Sequence, residues 1–299
     1  MTDPAGPPII HVAAELGQGG TERSIELLAT SAAGPAGQRV FALDQGGPTA
    51  DRLLRAGVEV RLFAGDIEAA AAAIAAGGPA TVLLNRAGRP EAKWNQLIRR
   101  LKGGPATLID VNHFGWLDRG AIADGLAGVW CVSGTALAKY LRQAMERPPK
   151  ASDADGFPVA LAAGNNPVAP APPRSTEPRA ALRRRLGLPV ERHLVLRLGR
   201  PDPRKWSDLL ILHAAWLLAV MPDLHFVFLS APESRRSVVR SMLGKHASLV
   251  PFTIDRAIIQ DHLAAADVML HYARYGESFG YALAEAGYVE LPAVVQATP

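Results

Sequence analysis

Glu277 and Glu285 are separated by seven residues, the first just ahead of an expected helix (about residues 279–289) and the second inside it. At about 1.5 Å of rise per residue, the eight steps between them span roughly 12 Å. Two carboxylates at that interval can each accept hydrogen bonds from hydroxyls at opposite ends of an elongated polar ligand. Between them lie the free backbone N–H groups of the helix start, at Phe279, Gly280 and Tyr281, which favour an anion such as a diphosphate. One element thus offers three points of attachment. Two glutamates at this spacing also occur on solvated helix faces, so the pair alone has little specificity.

A second candidate lies near the N-terminus. Gly17-Gln18-Gly19-Gly20 follows a short apolar strand (residues 8–13) and precedes a helical pattern (21–31). Glycine lets a ligand approach the backbone, so strand, glycine-rich turn and helix permit a phosphate cradle. The string is not G-x-G-x-x-G, so a dinucleotide site lacks its signature, and a plain tight turn is the other reading. His113 follows the strand 106–111, beyond whose carboxyl end ligands bind in parallel sheets. A loop histidine is also often structural. Asp153-Ala154-Asp155 has the form of a metal clamp but sits in a polar loop rather than at the end of a strong strand, and no metal site is expected from it.

The chain of 299 residues is long enough for two cores. A hydrophobic content of 48% and a charged content of 20% are ordinary for a globular protein. No run of eighteen apolar residues and no basic leader are visible, so neither a membrane span nor a secretory signal is expected. The single cysteine, Cys131, sits in an apolar run and reads as a buried small hydrophobe; a reducing cytoplasm fits. The net charge of +4 is mildly basic. Its clusters, Arg183-Arg184-Arg185, Arg235-Arg236 and Arg99-Arg100-Lys102, read first as solvated helix faces and second as attraction to an anionic membrane surface. No nucleic-acid module accompanies them, and no nucleic acid partner is expected.

The elements that must position these residues alternate. Strands are expected near residues 39–43, 58–63, 80–85, 106–111, 127–132 and 157–161, with helices at 49–56, 66–76, 91–102 and 135–145 between them. After a proline-rich linker (164–178) the alternation restarts, with strands near 193–198, 224–230, 248–251, 267–271 and 293–296. Helices are expected at 179–186, 206–220, 233–243 and 256–266. The fold class is therefore α/β, with two doubly wound, Rossmann-like parallel sheets, domains 1–165 and 166–299.

Glu277-Ser278-Phe279-Gly280 with Glu285-Ala286 resembles the Glu-x7-Glu signature of glycosyltransferase family 4, retaining enzymes of the GT-B architecture. Gly19-Gly20-Thr21-Glu22 resembles that family's opening Gly-Gly-x-Glu, and Gly164-Asn165-Asn166 its turn between domains. Gly199-Arg200 with Lys205 resembles its Gly-Arg-x5-Lys-Gly segment, with Trp206 where glycine is usual, a departure that suggests a narrowed pocket there. The resemblance implies a cleft between two domains and a nucleotide-diphosphate sugar as donor substrate, with no cofactor and no metal. Arg200 and Lys205 would hold the diphosphate, a forked and a compact cation placed where leaving-group charge grows. Glu285 would take the ribose hydroxyls and Glu277 the sugar hydroxyls, with Ser278, Phe279 and Gly280 at the phosphate. His113 and the Gly19-Gly20 loop would face the reacting side. The acceptor would be a glycan, a lipid-linked or a small molecule, with peripheral contact at the inner membrane face.

The family continues beyond residues 293–296 with further strand–helix units and a helix returning to the first domain. The chain here stops at Pro299, so a second sheet lacking an edge, and weak or no activity, are expected. Two rival classes stand beside transfer: a nucleotide-sugar epimerase of the same architecture, and a non-catalytic glycosyltransferase-like binding or assembly subunit.

Overall fold

The computed structural model describes residues 7–31, 37–86, 91–146, 160–168, 177–203, 205–272 and 279–296. It divides into two compact units, Met1–Val168 and Ala169–Pro299.

In the first unit, seven strands alternate with helices: β1 (Ile9–Glu15), α1 (Gly20–Ala29), β2 (Gln38–Gln45), α2 (Pro48–Arg55), β3 (Glu59–Leu62), α3 (Ile67–Ala76), β4 (Ala80–Arg86), α4 (Ala92–Leu101), β5 (Ala106–Asn112), α5 (Arg119–Asp124), β6 (Gly128–Cys131), α6 (Gly134–Glu146) and β7 (Ala160–Ala163). The sheet order is β3-β2-β1-β4-β5-β6-β7, and each adjacent pair is parallel. Both faces are covered, because successive strand residues point to opposite sides. Ile10 and Val12 pack with Leu84 and Leu97 on one face, while Ala13 and Val40 pack with Ile25 and Leu53 on the other.

The second unit repeats the plan: α7 (Arg179–Arg185), β8 (His193–Leu198), α8 (Asp208–Val220), β9 (Leu224–Leu229), α9 (Glu233–Leu243), β10 (Ala247–Val250), α10 (Arg256–Ala265), β11 (Val268–His271), α11 (Tyr281–Tyr288) and β12 (Ala293–Val295). Its five strands run in the order β10-β9-β8-β11-β12, again parallel. Leu194, Leu196 and Leu198 of β8 face one core, and Val195 faces the other, beside Phe226, Phe228 and Trp206.

Several expected elements shift. The last strand of the first unit is Ala160–Ala163 rather than 157–161, and residues 157–159 lie outside the described residues. The short helix α5 was not expected; six residues carry too little periodicity to read. The helix after β11 begins at Tyr281 rather than 279, because Gly280 takes the left-handed conformation (φ 81°) and ends the run of helical dihedrals. Arg183 is a further correction. It is buried rather than solvated, donating to the carbonyls of Ala265, Val190 and Arg192 and to Asp267 Oδ2 at 2.7–3.0 Å. Asp267 in turn accepts from Leu194 N at 2.8 Å, so this guanidinium ties α7 to the starts of β8 and β11.

Candidate functional site

In a parallel sheet, strand order reverses at a switch point, and the carboxyl ends of the two strands there diverge into loops that leave a crevice. The second unit has its reversal between β8 and β11. The loop after β8 carries Arg200 and Lys205, the first exposed and the second half-buried. After β11 the described residues resume at Phe279 and Gly280, just ahead of α11. The expected diphosphate residues of this unit therefore follow the carboxyl ends of two adjacent strands. The two ends are joined directly, since Arg197 Nη2 donates to Tyr272 O at 3.3 Å.

At α11 the helix-start geometry is explicit. The N–H groups of Leu283 and Ala284 return to Gly280 O at 2.9 and 3.1 Å. The N–H groups ahead of them have no carbonyl one turn back to reach within the helix. Phe279 packs edge-on against Tyr281, with centroids 5.0 Å apart. Glu285 is buried in the second turn, and Arg256, the first residue of α10, donates from Nη2 to its Oε1 at 2.6 Å. Among the described residues this is the only hydrogen bond to that carboxylate. Glu277 and Ser278 lie outside the described residues. So do Arg204, Asp153 and Asp155.

Trp206 does not narrow a pocket. It is 1% exposed, packed 6.1 Å from Phe228 in the core beneath the β8 loop, and its indole N–H donates to Arg200 O at 2.8 Å. The guanidinium of Arg197 lies 4.8 Å over its ring.

In the first unit, Gly19 caps α1 with an extended backbone and Gly20 is its first residue, directly beyond the carboxyl end of β1. The loop is anchored from α2, where Thr49 Oγ1 donates to Gly17 O at 2.7 Å. His113 stands at the carboxyl end of β5 but is only 2% exposed. Its Nε2 lies 3.4 Å from Asn85 Oδ1 of β4, and burial lowers its pKa to about 4, so the ring is neutral near pH 7. The loop that carries it is shaped by Asn112, whose Oδ1 accepts from the backbone N–H groups of Phe114, Gly115 and Trp116. Gly115 has φ 70°, and a Cβ there would lie 2.4 Å from Ala136 O, so only glycine fits. Beside it a buried charge cluster joins three elements. Arg86 donates to Asp110 at 2.8 Å and to Asp118 at 2.7 Å. Burial pushes the Asp110 carboxyl up to about 6 against the pull of Arg86.

Three residues near the site were missed by sequence reasoning. Arg256 sits at a helix start, where a cation opposes the macrodipole, and that local mismatch was the available signal. Arg197 occupies a strand position on the same face as Val195, so strand alternation marks it as inward-pointing. Asn166, read only as part of a turn, is buried and accepts from Ser24 Oγ of α1 at 2.8 Å.

Two doubly wound parallel units, the second with a cationic loop at its switch point, place the chain in the Rossmann-like class of α/β folds. Residues 178–299, nearly the whole of the second unit, match the family model described as glycosyl transferases group 1. The D-inositol 3-phosphate glycosyltransferase of Kineococcus radiotolerans is 35% identical over 131 residues, 40% of this chain and 30% of that protein. Its counterpart in Xylanimonas cellulosilytica is 32% identical over 136 residues, 43% of this chain and 31% of that protein. The match thus spans under a third of either relative's length. Among solved structures, Anabaena Alr3699/HepE in complex with UDP and glucose superposes with a TM-score of 0.74, at 15% identity, over 97% of this chain and 80% of that one. A glycosyltransferase from Rickettsia africae ESF-5 gives 0.71 at 14% identity, over 97% and 79%. At these identities the two structures show the fold, which is Rossmann-like and of the GT-B kind.

Proposed function

We propose that the chain transfers a glycosyl group from a nucleotide-diphosphate sugar to an acceptor hydroxyl, with retention of configuration and without a divalent metal. The observation that carries this reading is that Arg200 and Lys205 follow the carboxyl end of β8, and α11 is the next helix in the chain after the adjacent β11, in a unit that matches the group 1 glycosyl transferase model. The complex of HepE with UDP and glucose supports a donor of the same class. Arg200 and Lys205 hold the diphosphate, with the backbone N–H groups of Phe279 and Gly280 assisting. Glu285 takes the ribose hydroxyls and Glu277 the sugar hydroxyls, with Ser278 at the phosphate.

In the transfer step the bond from the anomeric carbon to the phosphate oxygen breaks. The acceptor oxygen bonds to the same carbon from the same face, and its proton passes to the departing phosphate oxygen. Negative charge grows on the diphosphate as the bond breaks, and two fixed cations meet it without reorganising. Neutral His113 and the Gly19-Gly20 loop belong to the acceptor side, the acceptor being a glycan, a lipid-linked or a small molecule.

The test is a transfer assay with UDP- and GDP-sugars, an acceptor panel that includes inositol phosphates, and EDTA in parallel. Lys205→Ala and Glu285→Ala should each lower transfer by at least about tenfold, the loss of a charged hydrogen bond, while EDTA leaves the rate unchanged. Full rates in both variants would reject these roles.

A further inference from the structure

We propose that Trp206 is a positioning residue whose indole N–H latches the loop after β8 and so fixes the spacing of Arg200 and Lys205. The inference rests on the reading of those two cations as diphosphate ligands. The loop between β8 and α8 contains Pro201 and Pro203, which have no backbone donor. Two backbone hydrogen bonds run within it, Asp202 N to Arg200 O at 2.8 Å and Lys205 N to Asp202 O at 2.9 Å. Trp206 adds another, from the far end of the loop back to the same Arg200 carbonyl. That oxygen therefore accepts twice, once from within the loop and once from the core below it.

The latch is rigid because its owner cannot swing. Trp206 packs on Phe228, and the Arg197 guanidinium lies over its ring while donating to the carbonyls of Leu198 and Tyr272. A Cβ at Gly199 would lie 2.7 Å from Arg197 Nη1, so a side chain there would displace this guanidinium. The backbone under Arg200 is thereby registered to the sheet and to the end of β11. Two cations that must meet two phosphate groups gain from this arrangement, since a loop ordered during folding need not be ordered again by the ligand. With glycine at position 206 both the donor to Arg200 O and the ring packed on Phe228 would be missing.

The test measures affinity by calorimetry for UDP, GDP and ADP and for the matching monophosphates, together with melting temperature, on the full chain. Trp206→Phe keeps an aromatic ring and removes the donor. Benzothienylalanine at 206 replaces the indole N–H with sulfur at the same shape and serves if the phenylalanine variant does not fold. The expected result is a loss of about three- to tenfold in diphosphate affinity, the size of one hydrogen bond, with monophosphate affinity changed by less than about twofold on the same scale. An equal loss for both ligands would assign Trp206 a purely structural role and overturn the inference, and so would no loss at all. Arg200→Ala and Lys205→Ala separate the two levels. If they weaken diphosphate binding while the Trp206 variants do not, the latch alone is wrong. If they do not, or if the wild type binds no diphosphate, the reading of the site fails and the latch with it.

Discussion

Arg256 Nη2 and Glu285 Oε1 are 2.6 Å apart, joining the first residue of α10 to the second turn of α11. The two ends of this pair are unequally buried: the Glu285 side chain is 10% exposed and that of Arg256 42%. A carboxylate enclosed to that degree keeps its charge at the cost of desolvation unless a cation meets it. The pair therefore presents an oriented carboxylate where ribose hydroxyls are proposed to bind.

Removing the cation should consequently cost more stability than removing the anion. Arg256→Gln leaves the more buried charge unpaired, whereas Glu285→Gln leaves a half-exposed guanidinium that water can serve. Melting temperature should fall further for Arg256→Gln. Both variants should lose about tenfold in UDP or GDP affinity, and much less for the 2′-deoxy nucleotides. Equal affinity loss with ribose and deoxyribose ligands would remove Glu285 from the ribose site.

Arg183 provides a second test, of stability alone. Its guanidinium satisfies three backbone carbonyls and Asp267 within the second unit. Arg183→Met should destabilise that unit by about 3–5 kcal/mol, the usual result of breaking a buried pair and leaving acceptors unmet. Arg184→Met, one residue along and exposed, should change little. Denaturant titration of the two variants checks the contrast.

The pH dependence of the first unit has a defined sign. Burial lowers the pKa of His11 and His113 to about 4 from an ordinary value of 6.5. Their contribution is fully present above pH 6.5 and is lost as pH falls toward 4. Asp110, raised from 3.8 to about 6, acts oppositely: its contribution is present below 3.8 and is lost as pH rises through 6. With two groups against one, urea midpoints should fall between pH 7.5 and 5. Asp110→Asn, which lacks the opposing group, should fall more steeply than wild type over the same range.

Asp118 should matter more than its partner. Its Oδ2 accepts from Arg86, and its Oδ1 caps α5 through Ala121 N at 3.1 Å. Asp118→Ala removes both a buried charge partner and a helix cap, the latter worth about 1 kcal/mol alone. At pH 8, Asp110→Asn leaves Arg86 paired one to one with Asp118 and should be the milder change by thermal melting.

The repeating strands were legible because buried parallel strands are nearly continuous apolar runs, as in Leu224–Leu229, where all six residues are buried. The candidate site was legible only as position along the chain: Gly19-Gly20 follow β1, and Arg200 and Lys205 follow β8. It was illegible where one side chain decides the environment of another. An arginine triplet looks the same whether Arg183 faces water or four acceptors, and Trp206 reads as an intrusion until its N–H is seen on Arg200 O. His113 shows the same gap, since position in the chain placed it at a strand end but could not reveal that packing keeps it neutral.

The position of β8 also sets an order of assembly. It gains β9 from the segment made next, but its other neighbour, β11, arrives only after α8, β9, α9, β10 and α10 have been synthesised. Until Val268–His271 emerges from the ribosome, half of the β8 backbone is unmet, and Arg197 lacks the Tyr272 carbonyl. Long-range parallel pairing is slow for this reason. In the growing polypeptide, the junction of β8 and β11 is therefore among the last features of the second unit to mature, well after most of the hydrophobic mass around it.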